Sequence, residues 1–596
     1  MTAGETTADV PRPWVDRLSR VVSRIRAMPL TFGTMLASVL AASLAIVALL
    51  AIVLWLSFIE EPAGFHDSVY SFANYVAVFT EPATIRVIVN TLEFSLVNLL
   101  VALSFGIPLA WLVERTDIGG KKTVYTLLTI GLLIPGFASA MGWLFLLHPR
   151  IGLINQMLRS LFGAAVTPIS ITNIFGMGCV LGLNLAPLAF IMTGAVFRAM
   201  DPALEEAAKI HGANIWQTTY RVTLRLAWPG ILAASIYIFT IGFSAFDVPA
   251  IIGWSNRIFT FSTYLLVLLS SANRDLPHYG EVAAFSVVII GFALLMSWWY
   301  TSLLGRSYKY TVVTGKAYRP ALLPLGRLKY AAWGFIAFYV LLNEVMPIIL
   351  IIWASLLPYL TTPSAEAFSH LSLQNFYVLP WSQTIHAIGN TALLMVLTAT
   401  IATALSVAFS WIVLRSRIRG RRALDAVFFL PHAVPHVIFG VGALLATLYV
   451  IESFLPIYGT IWVLLLVFVI ARLSYGTRVT NNALLQIHSE LEEAAQICGA
   501  STWTTLRRVV LPLIAPTLTF TWLWIALLTS REVALAVILT VSGNGTVPVV
   551  IWSLWAQGSL GQASALALVM LVLLAPLIVI YWSVMRRGSV VNATGN

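Results

Sequence analysis

Two short stretches of this 596-residue chain share one mix of acid, alanine and glycine. Glu205-Glu206-Ala207-Ala208-Lys209-Ile210-His211-Gly212 is echoed by Glu492-Glu493-Ala494-Ala495-Gln496-Ile497-Cys498-Gly499, and each runs on to an Arg-Val-x-Leu core that starts at Arg221 or Arg508. The chemistry these residues offer is docking, not bond making. Each stretch reads as two short helices meeting at glycine. Gly212 and Gly499 carry no Cβ to clash in the left-handed conformation that ends a helix, and Asn214 and Ser501 suit the cap of the next one. In the second copy Ser489-Glu490-Leu491-Glu492 has the spacing of a capping box. The pairs Ala207-Ala208 and Ala494-Ala495 leave a flat patch on which another protein can sit closely, with Glu206 and Glu493 as charge beside it. No G-x(4)-G-K-[ST] loop occurs, because Gly119-Gly120-Lys121-Lys122-Thr123 lacks its spacing. No nucleotide, catalytic residue, metal or other cofactor is therefore expected on this chain.

The elements that hold these loops follow from composition. Charged residues make up 10% of the chain and apolar ones 59%, against about 25% charged in an ordinary soluble domain. Most of the surface must face something other than water. Apolar runs such as 35–58 and 91–113 reach the roughly 20 residues a helix needs to cross a bilayer. The pattern predicts an all-α polytopic membrane protein of about 12 transmembrane helices. Six spans fall near 35–58, 90–113, 124–147, 172–197, 228–251 and 281–304, and six near 331–357, 390–414, 424–450, 458–476, 514–540 and 563–584. The shorter apolar stretch 261–269 reads as interfacial.

Lys and Arg gather in alternate connections, at Arg115, Lys121 and Lys122, at Arg221 and Arg225, at Arg415, Arg419, Arg421 and Arg422, and at Arg507 and Arg508. Further basic residues lie in the central linker and both tails. By the positive-inside rule these connections are cytoplasmic, and both termini with them. The net charge of +11 is thereby a matter of topology, and nucleic acid is not a partner. Membrane lipid is one, and the Arg-rich N-terminal tail suits an anionic lipid surface. Cys179 and Cys498 fall in an expected helix and an expected loop, so no disulfide framework is implied.

The spans form two copies of one unit. Asn90-Thr91 returns as Asn390-Thr391, Gly120-Lys121-Lys122 as Gly420-Arg421-Arg422, and Pro135 as Pro435, all at a shift of 300 (390 − 90). The acidic loops are shifted by 287 (493 − 206). The expected organisation is an N-terminal cytoplasmic tail over 1–34, a first membrane domain over 35–304, a linker over 305–330, a second membrane domain over 331–585 and a tail over 586–596.

Ionisable groups at membrane depth are costly and face a bundle interior. Asp247, Arg531 and Glu532 read as lying roughly 17–19 residues into their spans, about 25–29 Å at helical rise. There they either line a translocation path or pair with one another. His432 and His436, flanked by Pro431 and Pro435, share one helix face by their i, i+4 spacing. Imidazole can bind iron, but a proline-kinked segment short of hydrogen bonds also favours polar side chains.

Both acidic loops resemble the E-A-A-x(3)-G-x(9)-I-x-L-P loop of binding-protein-dependent ABC importer permeases. The second copy departs from it at Val509; the first has Val222, and Arg225 where the family has proline. In length and six-plus-six arrangement the chain resembles the fused ferric-iron permeases, as do Phe246-Asp247-Val248-Pro249-Ala250-Ile251-Ile252-Gly253 and Arg531-Glu532-Val533-Ala534, the latter without the family's proline. The resemblance implies a type I importer fold in a bacterial inner membrane. A cytoplasmic ABC ATPase homodimer would dock on Glu206, Ala207, Ala208, Gly212 and on Glu493, Ala494, Ala495, Gly499. A periplasmic or lipid-anchored substrate-binding protein would deliver the cargo. Ferric iron is the implied cargo, with thiamine, aminoethylphosphonate, polyamine or sulfate as alternatives. A proton-coupled secondary transporter, the rival reading, predicts acids deep in several helices and no docking loop.

Overall fold

Where no water reaches the backbone, an open chain can satisfy its amides only by forming helices, and helices dominate the architecture. The computed structural model describes residues 30–60, 69–132, 134–163, 166–200, 203–270, 279–307, 322–416, 418–452, 454–541 and 543–594. Of the expected tails and linker, residues 1–29, 308–321 and 595–596 lie outside the described residues. Among the described residues ten helices are long and apolar enough to cross a membrane, and two bent pairs raise the number to twelve if each is one span. The chain is a multi-pass membrane protein.

The first half contains α1 (Leu30–Leu56), α2 (Pro82–Arg115), α3 (Lys121–Gly131), α4 (Gly136–Leu147), α5 (Ile174–Ala199), α6 (Ala203–Ile210), α7 (Leu224–Ser244) and α8 (Tyr279–Ser307). The second contains α9 (Leu328–Val340) and α10 (Met346–Leu356), joined by a wide turn over Leu341–Val345. After these come α11 (Trp381–Arg415), α12 (Arg421–Ala433), α13 (His436–Ala446), α14 (Ile461–Leu485), α15 (Ser489–Ile497), α16 (Leu511–Ser530) and α17 (Leu560–Thr594).

Two expectations need correction. The third and ninth spans are not continuous: α3 and α4 meet at 91°, and the chain bends by 103° between α12 and α13. Pro135 and Pro435 sit in the breaks, each with an extended ψ near 130° (135° and 132°). A proline removes an amide donor and drives the residue before it out of the helical region, as Val434 shows with ψ 134°. The fifth and eleventh spans also stop early, at Ser244 and Ser530, and the chain continues through short segments. The helix Phe261–Ser270 packs into the protein over Phe261–Leu266.

The repeated Asn-Thr pairs pin these short segments. Asn90 donates to the Phe259 carbonyl and Thr91 accepts from the Phe261 amide. Asn390 donates to the Gly543 and Gly545 carbonyls, and Thr391 accepts from the Val547 amide.

The halves interlock. Each half's first span lies against the other half's broken span: Gly442 of α13 abuts the Leu49 backbone of α1, and Gly142 of α4 abuts the Pro347 backbone of α10. Glycine at such crossings lets backbones approach closely, which is how membrane helices gain packing energy. Tyr339 donates across the seam to the Leu183 carbonyl at 2.8 Å, and Trp555 to the Ile251 carbonyl at 3.1 Å.

Candidate functional site

The two acidic loops fold alike. α6 and α15 end at Gly212 and Gly499, with φ of +80° and +85°, where a side chain would be strained. Amides then close back onto the helix, from Ala213 to the Ala208 carbonyl and from Ala500 to the Ala495 carbonyl, each at 3.0 Å. Asn214 accepts from the Gln217 amide at 2.8 Å and Ser501 from the Thr504 amide at 3.2 Å, as the sequence predicts. The capping box does not form. His488 occupies the cap position of α15, and Glu492 turns elsewhere.

Glu492 turns to Arg415 at the end of α11, with Nε to Oε1 2.8 Å apart. Glu205 in the first copy meets Arg115 at the end of α2 at 3.3 Å, with both side chains buried. Neither contact is an aligned hydrogen bond; they are charge pairs closed by other partners. Thr223 donates to Glu205 at 2.6 Å, and Arg415 donates to the Leu484 and Ile487 carbonyls at 3.1 Å each. Each loop is thus latched by a buried acid to an arginine on the second span of its own half. Sequence reading took Arg115 and Arg415 only as topology markers. The signal was available in the shared shift of 300 and in the doubling of each acid.

The rest of each loop faces outward. Ala207 and Ala494 are exposed and Ala208 and Ala495 half-buried, while Ile210 and Ile497 are 84% and 86% exposed. Glu206 is half-buried and Glu493 exposed.

The end of the linker straps onto the first loop's support. Residues 116 and 323 form a parallel bridge, the Leu323 amide donates to the Arg115 carbonyl and the Asp117 amide to the Leu323 carbonyl. The Asp117 carboxylate accepts from the Leu325 amide and pairs with Lys329, both at 2.9 Å. That amide and ammonium hold the Asp117 carboxyl below its ordinary value.

The ionisable groups expected inside the fifth and eleventh spans stand just past the ends of α7 and α16, in the segments that follow the helices. There the two halves meet. Arg531 donates across the seam to the Leu132 and Ile134 carbonyls at 2.7 and 3.5 Å, both in the break between α3 and α4. Glu532 is held by Arg472, which also donates to the Leu528 carbonyl at 3.0 Å, and His436 lies 3.9 Å away. Asp247 makes no ion pair or hydrogen bond among the described residues. It lines a cavity of about 10 Å³ with Phe137 and Trp552, room for about one water. The bend puts on different helices the two histidines that were expected on one face: His436 opens α13, while His432 in α12 stacks on Tyr237 at 5.1 Å. Among the described residues no three His, Cys, Asp or Glu side chains converge to hold a metal.

Comparison with known proteins agrees with this organisation. The family model described as binding-protein-dependent transport system inner membrane component matches residues 102–307 and again 401–587. A Haemophilus influenzae permease named for ferric transport is 26% identical over 457 residues, which cover 74% of this chain and 68% of that protein. The ferric transport system permease protein of Actinobacillus pleuropneumoniae is 25% identical over 466 residues, covering 74% of this chain and 63% of that one. A Salmonella paratyphi A permease named for 2-aminoethylphosphonate transport is 31% identical over 158 residues, 26% of this chain and 57% of that protein.

Proposed function

We proceed from the premise that this chain belongs to the family of binding-protein-dependent transport system inner membrane components, and propose that it is the membrane pathway of an ATP-driven importer for ferric iron. The observation that carries the reading is the duplicated loop. Two helices end at left-handed glycines, are latched from behind by Arg–Glu pairs whose acids are buried, and present exposed alanine and isoleucine outward. A surface so held can pass a partner's movement into α2 and α11 without bending.

The partner that fits both copies is a pair of identical ATPase subunits. Their closing on ATP draws the loops together, and the latches carry that motion into the second span of each half. The basic connections put this end in the cytoplasm, and both termini with it. A substrate-binding protein then delivers cargo at the opposite face. Support for iron comes from the ferric permeases, whose similarity runs over about three quarters of this chain. The phosphonate relative favours a second cargo, an anion, but over about a quarter of it.

The test is recovery of the tagged permease from its native membrane, with identification of what co-purifies, for the wild type and for Glu206→Arg/Glu493→Arg. The expected result is an ATPase and a binding protein with the wild type, and loss of the ATPase alone in the variant. An ATPase that stays bound to the variant overturns the docking surface. Initial rates of radioactive iron and phosphonate uptake then decide the cargo.

A further inference from the structure

The first break differs from an ordinary kink in what surrounds it. Glu344 sits in the wide turn between α9 and α10, only 5% exposed, and its Oε1 has no hydrogen-bond partner. That carboxylate presses on Gly131, the last residue of α3, so closely that a Cβ there would overlap it. At the other side of the break, Asp247 Oδ2 lies 2.7 Å from where a Cβ on Gly136 would stand. Between them the unwound chain turns the Leu132 and Ile134 carbonyls to the Arg531 guanidinium. Two carboxylates without hydrogen-bond or ion-pair partners among the described residues thus flank the two ends of the break, and the two carbonyls inside it hold one cationic side chain at the seam between the repeats.

We propose that this break is a transit site for a hard, oxygen-seeking metal cation, bounded by Glu344, Asp247 and the Leu132 and Ile134 carbonyls, in which Arg531 stands in for the cation when none is bound. A carboxylate at membrane depth without a partner is costly, so an acid left open there is neutralised either by a proton or by a cation that visits it. Hard cations take carboxylate and carbonyl oxygens, and broken helices at repeat interfaces supply such carbonyls in other transporters. Two acids, with no third ligand group from His, Cys, Asp or Glu converging, bind too weakly to trap the ion, which suits a passage. Arg531 closes the site against leak, because its guanidinium occupies the two carbonyl oxygens of the break. The second break has no counterpart: a shift of 300 from Glu344 falls on Leu44, and Glu532 is already paired with Arg472.

This inference rests on the cargo being a metal cation, so the test separates the two claims. Terbium(III), a hard trivalent probe that tryptophan sensitises, is titrated into the full-length permease in lipid nanodiscs. The Asp247→Asn/Glu344→Gln variant is expected to need at least 10-fold more terbium for half-saturation, and Arg531→Gln several-fold less, since it removes the competitor. Glu366→Gln, on the short helix Ala365–Ser369, matches wild type. Size-exclusion profiles confirm that each variant is folded. Equal binding by wild type and the double variant overturns the site, as does weaker binding by Arg531→Gln. Iron uptake by the assembled importer supplies the second readout, with at least a 10-fold drop expected in the double variant while ATPase stimulation persists. Uptake unchanged in that variant overturns the site and leaves the cargo reading standing. A wild type that binds terbium at the break but imports no iron upholds the site and overturns the cargo.

Discussion

The two helix breaks are built on the same plan and charged differently. In each, a proline interrupts the span, a new helix starts at residue 136 or 436, and an acid from the segment beyond the fifth or eleventh span stands beside that start. Glu532 at the second break is held by Arg472, with His436 beside it; Asp247 at the first is held by neither an ion pair nor a hydrogen bond. At the other end of the bundle both loops keep the same Arg–Glu latch, although only the first carries the strap from Leu323 among the described residues. The latches of the two loops have stayed alike, while the charges at the two breaks have not. The repeat fixes where the acids stand but not what they meet.

The largest effect should come from neutralising the acid at each break. Glu532→Gln leaves Arg472 buried without its counter-ion and should cost about 3–5 kcal/mol, whereas Asp247→Asn breaks no pair and should cost under about 1 kcal/mol. Thermal unfolding in detergent compares them, and equal losses would erase the distinction between the breaks.

The latches should behave alike. Arg115→Ala and Arg415→Ala each strand a buried acid at a cost of about 3 kcal/mol or more. The loss should be greater for Arg415, which also surrenders two bonds to carbonyls at the end of α14. Stability should return in part in Arg115→Glu/Glu205→Arg, and the ATPase should co-purify again. Failure of that exchange would show that geometry, not charge, sets the latch.

A smaller contrast is expected at the pins. Asn90 makes one bond and Asn390 two, so at about 1 kcal/mol each Asn390→Ala should cost about twice as much as Asn90→Ala.

The smallest effect concerns the strap, which the second half lacks among the described residues. The Asp117 carboxyl is held below its ordinary value of 3.8 in the folded protein. Its contribution is therefore present above that value and lost as pH falls through the depressed one. Exchange of the Leu323 and Leu325 amides, corrected for intrinsic rates, should quicken in strong acid for wild type. In Asp117→Asn it should be fast already at neutral pH.

Sequence alone determined the class, the repeat and the two glycine-ended loops. Each rests on local information: runs of about 20 apolar residues, a fixed shift between Asn90 and Asn390, and glycines where a helix must end left-handed. What sequence placed wrongly lay where local signals compete. Continuous hydropathy over 124–147 and 424–450 hid breaks that Pro135 and Pro435 impose, and hydropathy over 228–251 hid the end of α7. What it could not show was which charge meets which. Glu205 finds Arg115 across 90 positions, and Arg531 finds the Leu132 carbonyl across 399. Such partners are fixed by the register in which interlocked helices pack, since a buried charge takes whatever counter-charge or carbonyl the packing brings within reach. For the same reason Glu344, one acid in an apolar run, acquires meaning only when α10 lies against α4 and sets it beside the first break.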